Sequence, residues 1–409
     1  MPSRPRGTRR LLPTTGPERT LALALATLVD TLGKGVFLSA GVIFLTRSAG
    51  LSAHAVGLGL TVAGVAALAW GVVIGDWADR LGARRVLTAT LLLEAAATAG
   101  FAATHSNAVF LIAAVLAAIG AQGSTSARGA LIAVIAGPEA RVELRARLRS
   151  LTNLGISVGS VLGGIGLAVD SRWAYLALIL GDAVTFLAAA AVVQRLPDHP
   201  PTRRAPSGRR WMALADHPYL AVTAVNAVQC LNFTMLTIAM PLWVSQRTAA
   251  PRWLVAPLLL INTVAIVVLQ VRATRDVKNP VAAGFGLRRA GVAFAVAWTA
   301  MGLAGGAGPS GTIALLAAAV GVHTVGELWQ AASGFELSFS LAHPDAQGQY
   351  QGVFGLGQGV ASAVGPIVAT GVCLSAGAAG WAGMGLLLAV AGCAAPATVA
   401  RALRQAEVR

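Results

Sequence analysis

With 409 residues, 56% of them hydrophobic and 11% charged, at a mean hydropathy of +0.70, the chain carries more apolar surface than a soluble fold of this size can hide. Its net charge of +15 would suit a nucleic-acid partner, but the 31 basic residues, all Arg except Lys34 and Lys278, sit in short segments between long apolar runs and form no single basic face. Cys230, Cys373 and Cys393 lie inside apolar runs without disulfide or metal spacing, so neither a disulfide scaffold nor a metal centre is expected.

A basic leader, residues 1–20 with Arg4, Arg6, Arg9 and Arg10, opens the chain. The apolar run that follows, Leu21 to Thr46, is too long for a signal-peptide core and lacks a clear cleavage site, so it reads as a retained first span. A bilayer core takes roughly 20 apolar residues to cross, and further runs of that kind fall at 54–75, 86–105, 108–133, 151–169 and 173–194. Six more follow at 218–245, 253–273, 290–306, 311–337, 351–375 and 381–401. Twelve spans put both termini on one side. The positive charge is divided accordingly: 25 basic residues fall on the terminus side and four, Arg47, Arg172, Arg247 and Arg252, on the other. By the positive-inside rule the termini are then cytoplasmic, and the chain is expected in a plasma membrane. Residues 195–217, rich in Pro and Arg, read as a linker between two six-helix halves, 21–194 and 218–401, with a tail at 402–409. Leu154-Gly155, Ser160 and Gly163 recur 202 residues later as Leu356-Gly357, Ser362 and Gly365, as a duplicated transporter would show.

After the second span the chain reads Gly75-Asp76-Trp77-Ala78-Asp79-Arg80-Leu81-Gly82-Ala83-Arg84-Arg85. This resembles the cytoplasmic loop signature of the major facilitator superfamily. The resemblance implies that Asp79 caps or pairs across a cytoplasmic gate and that Arg80, Arg84 and Arg85 anchor the loop. It also implies that Gly75 and Gly82 allow close helix approach and a tight turn. In the fifth span, Gly155, Gly159, Ser160, Gly163 and Gly164 are similar to the superfamily's antiporter glycine motif, with Ser160 at its Pro and Ala146 at an earlier Gly. Glycines spaced by four also simply let two helices pack closely.

Charge inside hydrocarbon is costly and marks a cavity or a partner. In the superfamily, helices one, four, seven and ten line the cavity. Asp30 and Lys34 share a face of the first helix, either as a self-neutralising pair or as a proton site beside a substrate-binding cation. His323 and Glu327 share a face of the tenth and are expected to couple protons, to bind substrate or to hold helices together, and Trp329 after them is a candidate substrate contact. Asn226, Gln229 and Asn232, spaced by threes on the seventh, are candidate substrate contacts or interhelical glue. Arg128 is expected to pair with Glu336 or Asp79 at a gate, and Glu94 and Asp182 to serve packing away from the cavity. Trp173, Trp243 and Trp253 are placed as interface anchors.

No nucleophile stands beside a base and no phosphate loop or metal spacing occurs, so an enzyme is not expected. The expected protein is an all-α, proton-coupled exporter of small amphipathic or drug-like compounds, monomeric, without cofactor or nucleic acid. The competing expectation is a proton-coupled importer of a metabolite or organic anion, which Lys34 would favour.

Overall fold

In hydrocarbon only structures that satisfy their own backbone hydrogen bonds persist, and for uninterrupted apolar runs that structure is the helix. The computed structural model describes residues 17–104, 106–169, 171–198 and 211–407. Most of the basic leader, the linker residues 199–210 and the end of the tail, 408–409, lie outside them. Among the described residues twelve helices of spanning length are present: α1 (Glu18–Gly41), α2 (His54–Leu81), α3 (Ala83–Ala102), α4 (Asn107–Ile135), α5 (Ala140–Val169) and α6 (Arg172–Gln194). They continue as α7 (His217–Arg247), α8 (Arg252–Asp276), α9 (Pro280–Gly306), α10 (Pro309–Ser340), α11 (Pro344–Leu374) and α12 (Gly377–Gln405). Among the described residues there is no strand.

Side-chain caps start several of these helices by accepting an orphan backbone N–H. Ser52 accepts from Ala55, Ser106 from Val109, Ser171 from Ala174, Asp216 from Tyr219 and Asn279 from Ala282. Two helix starts differ most from the hydropathy reading. The fifth helix starts near residue 140 instead of 151, and the ninth at 280 instead of 290. Arg141, Arg145, Arg147 and Arg149, and likewise Arg288 and Arg289, lower the local hydropathy without breaking the helix, since Arg is a good helix former.

Large apolar side chains face outward as well as inward. α8 exposes Leu260, Ile261, Val264 and Val268, and α12 exposes Leu386, Leu387 and Val390, stripes that only lipid would cover. The first half packs Leu87, Leu91, Leu131 and Phe186 together. The second packs Phe294, Trp298 and Trp381 with Trp243, whose Nε1 donates to the Met301 carbonyl at 2.9 Å. Trp243 is therefore a core residue and not an interface anchor, whereas Trp173 and Trp253 are exposed.

The two six-helix bundles repeat each other in detail. Gly155 and Gly163 of α5 lie against Thr31 and Ser39 of α1, as Gly357 and Gly365 of α11 lie against Thr223 and Thr234 of α7. π-helical turns fall at Phe44–Ser48 after α1 and at Met235–Ala239 within α7. Across the halves, α2 and α4 pack on α11, and α5 packs on α8 and α10.

Candidate functional site

In the first half, one helical turn brings Lys34 Nζ to 3.0 Å from Asp30 Oδ1. α4 adds Arg128, with Nη2 2.7 Å from Asp30 Oδ2, so Arg128 joins α1 and not Glu336 or Asp79 as the sequence suggested. α3 adds Glu94, 3.2 Å from Lys34 Nζ, and Ser124 Oγ donates to Glu94 Oε1 at 2.5 Å. Glu94 and Asp182 were expected away from the cavity. Neither lines the cavity between the halves; both line a side pocket of about 320 Å³ with Lys34, where the long lysine stem reaches Glu94. The ammonium also lies 5.5 Å from the Phe186 ring. Buried charges of this kind persist only when paired.

In the second half, Glu327 Oε1 accepts from Arg149 Nη2 of α5 at 2.9 Å, an ion pair across the two halves. Its Oε2 accepts from Asn262 Nδ2 at 3.1 Å, and Asn262 also donates to Thr324 at 2.9 Å. The Arg149 guanidinium covers the Phe233 ring at 4.9 Å. His323 lies 4.0 Å from Glu327 and bonds Asn232 Oδ1 at 3.0 Å through Nε2. Asn226 accepts from Gln330 Nε2 at 2.8 Å. Gln229 turns elsewhere: its Nε2 donates to the Leu287 carbonyl at 2.8 Å and the Leu388 carbonyl at 3.4 Å, which joins α7 to α9 and α12. Trp329 packs half-buried against the apolar core of its own half.

The seam between the halves is closed on the terminus side. Asp79 accepts the Gly348 N–H at 2.7 Å and the Gln349 N–H at 3.0 Å, an anion placed on orphan donors at the start of α11. Gln349 Nε2 donates to Asp76 at 2.7 Å. Gly75 meets Gly348 backbone to backbone, and a Cβ on either would drive into the other's carbonyl. Gly82, the single residue between α2 and α3, takes φ 97°, which glycine adopts without strain. Arg80 pairs with Asp76 at 2.7 Å, and Arg84 and Arg85 hold Asp198 at 3.3 and 2.6 Å. Deeper in the seam, Arg145 donates to Ser338 at 3.1 Å and to Gln351, with its guanidinium over Phe335 and Phe339. On α5, Gly155, Gly159 and Gly163 press against α1, Ser160 Oγ donates to the Gly35 carbonyl at 3.2 Å, and Gly164 faces open space.

Above this seam a cavity of about 690 Å³ separates the halves. Gln122 and Thr125 of α4 and Gln358 and Ser362 of α11 give it uncharged polar groups, and Lys34 reaches its wall. Neither this quartet nor Arg149 was singled out from the sequence as a site residue, Ser362 entering only through the internal repeat. Arg145 and Arg149, four apart, share a face of α5, a signal lost by starting that helix at 151. Among the described residues no cluster of three His, Cys, Asp or Glu could hold a metal ion.

Residues 23–278 match the family model described as Major Facilitator Superfamily. The multidrug resistance protein MdtH of Aeromonas salmonicida (strain A449) is 26% identical over 237 residues, 57% of this chain and 59% of that protein. A chloramphenicol resistance protein of Pseudomonas aeruginosa is 29% identical over 219 residues, 53% of this chain and 49% of that one. The matched segments thus span about half the length of these relatives. A bacterial homologue of the iron transporter ferroportin, solved in an outward-facing state, superposes with a TM-score of 0.74 at 14% identity, covering 94% of this chain and 99% of that one, a likeness of fold.

Proposed function

The chain belongs to the major facilitator superfamily, and on that premise we propose that it is a secondary active exporter, exchanging protons for small amphipathic or drug-like compounds by alternating access. One observation carries this reading: the halves are tied at one end by Asp79 on α11 and by Arg149 on Glu327, and towards the other end a cavity opens between α1, α2 and α4 of the first half and α11 of the second. Residues 21–194 and 218–401 are the rocking halves and 195–217 the linker between them. Both termini lie in the cytoplasm, the membrane is the plasma membrane, and a monomer suffices. The state described is then open to the outside.

Protonation of Glu327 from that side would neutralise the carboxylate that grips Arg149 and so loosen the cytoplasmic closure. Deprotonation in the cytoplasm would restore it. Asp30 stands in a parallel relation to Arg128. His323 and Asn232, hydrogen-bonded beside Glu327, would position it. Gln122, Thr125, Gln358 and Ser362 would offer hydrogen bonds to a solute. Export is favoured by the names of the two resistance relatives. Import of an organic anion draws less support, because the Lys34 ammonium is already held between Asp30 and Glu94.

The test is accumulation of cationic, neutral and anionic amphiphiles in cells lacking their own efflux pumps. Export predicts lowered accumulation of at least one class, restored by a protonophore. Unchanged accumulation together with improved growth on a supplied metabolite would replace export by import.

A further inference from the structure

Asp182 of α6 is 3% exposed, and its Oδ1 has no hydrogen-bond partner. The charged groups around it are Asp30 and Lys34 of α1 and Glu94 of α3, with Arg128 of α4 beyond them on Asp30. Both cations are already committed: Lys34 spans Asp30 and Glu94, and Arg128 holds Asp30. The cluster therefore sets three carboxylates against two cations, and the uncompensated one is Asp182. A lone carboxylate away from water is strongly disfavoured, so the cluster calls for one more positive charge.

The pocket that Asp182 lines can receive one. Its volume of about 320 Å³ falls at the lower end of the range that holds drug-sized ligands, roughly 300–1,000 Å³. Asp182, Glu94, Lys34 and Thr98 supply its polar groups, and Phe37, Phe101 and Phe186 line the apolar part. Lys34, Leu60, Gly64, Ala118 and Ala121 belong both to this pocket and to the cavity between the halves, so a solute entering from the cavity reaches it directly. Aromatic walls with an acidic group suit a cation carried on an apolar body.

We propose that this side pocket is a subsite for a monovalent organic cation, whose charge replaces a proton on Asp182. The inference rests on the export reading and deepens it by naming a substrate class. In the exchange the Asp182 O–H bond breaks, the proton leaves to solvent, and the carboxylate so formed pairs with the incoming cation. The charge of the cluster is unchanged.

The experiment uses the full purified chain in detergent and benzyltrimethylammonium, a permanent cation that brings no proton of its own. Binding is measured by calorimetry in buffers of different ionisation enthalpy, which counts protons released. Wild type is expected to release one proton per cation bound. Asp182→Asn is expected to bind at least about tenfold more weakly and to release none, whereas Asp182→Glu, which keeps the carboxyl, restores release. Full proton release by Asp182→Asn would place the exchanging group elsewhere and overturn the subsite, leaving the export reading to its own protonophore test. Cation binding by wild type without proton release, or no binding at millimolar concentration, would overturn it equally. If Asp182→Asn does not fold, absence of release from a monodisperse Asp182→Glu protein also counts against the proposal.

Discussion

The ion pair between the halves gives the sharpest prediction. Glutamine at 327 keeps the shape of the side chain and its contact with Asn262, 3.1 Å away, but removes the charge that holds Arg149 at 2.9 Å. Breaking one side of a buried pair costs about 3–5 kcal/mol, whereas an exposed pair is worth about 0–1 kcal/mol. Glu327 is 6% and Arg149 20% exposed at the side chain, so this pair lies between the limits. The guanidinium also keeps the Phe233 ring at 4.9 Å. A loss of about 2 kcal/mol follows, felt only where the halves touch, and that is roughly 30-fold in a two-state equilibrium. Spin labels at Glu143 of α5 and Arg275 of α8, which face each other across a groove at the terminus side, report that equilibrium as a distance. In a background without Cys230, Cys373 and Cys393, Glu327→Gln is expected to shift the distribution to longer distances. Arg149→Gln should do the same, and the double variant should add little. Fully additive shifts, or none, would refute the tie.

Gly348→Val should wedge the seam, because the new Cβ meets the Gly75 carbonyl; the same labels should read the long distance, and transport should stop in a protein that still folds. A retained short distance would show that the backbones need not approach so closely. Arg128→Ala leaves Asp30 paired to Lys34 alone and should cost several times more thermal stability in detergent than Arg85→Ala, whose Asp198 partner is exposed and shared with Arg84. Equal losses would mean that the inner pair contributes no more than a surface one. Gln229→Leu should leave substrate affinity unchanged while lowering stability by about 0.6 kcal/mol, the usual size of an interhelical hydrogen bond in a membrane. A large loss of affinity would place Gln229 on the solute path.

The twelve helices were legible because a bilayer imposes one length and one polarity on every span, and the charge count checks the total. Contacts made within a turn were legible too: Asp30 with Lys34 follows from a spacing of four, and the α5 glycines mark a close approach that α1 fills. What stayed hidden is long-range. Arg128 reaches Asp30 from 98 residues away and Arg149 reaches Glu327 from 178, and neither pairing leaves a local pattern. Glu94 was assigned to packing by its helix number, but a lysine stem of four carbons carries charge from α1 across to α3. The three polar residues of α7 sweep an arc of about 120° on a helix of 3.6 residues per turn. That arc is wide enough to touch different neighbours, and so Gln229 parts from Asn226 and Asn232.

The most direct test of proton-coupled export is made in proteoliposomes loaded with a pH-sensitive dye, with an inward or outward proton gradient and a compound identified by the accumulation screen. Coupled exchange predicts movement of the compound against its own gradient, matched by proton flow in the opposite direction and abolished by a protonophore. Movement that only equilibrates the compound, with no proton signal and no response to the gradient, would contradict it.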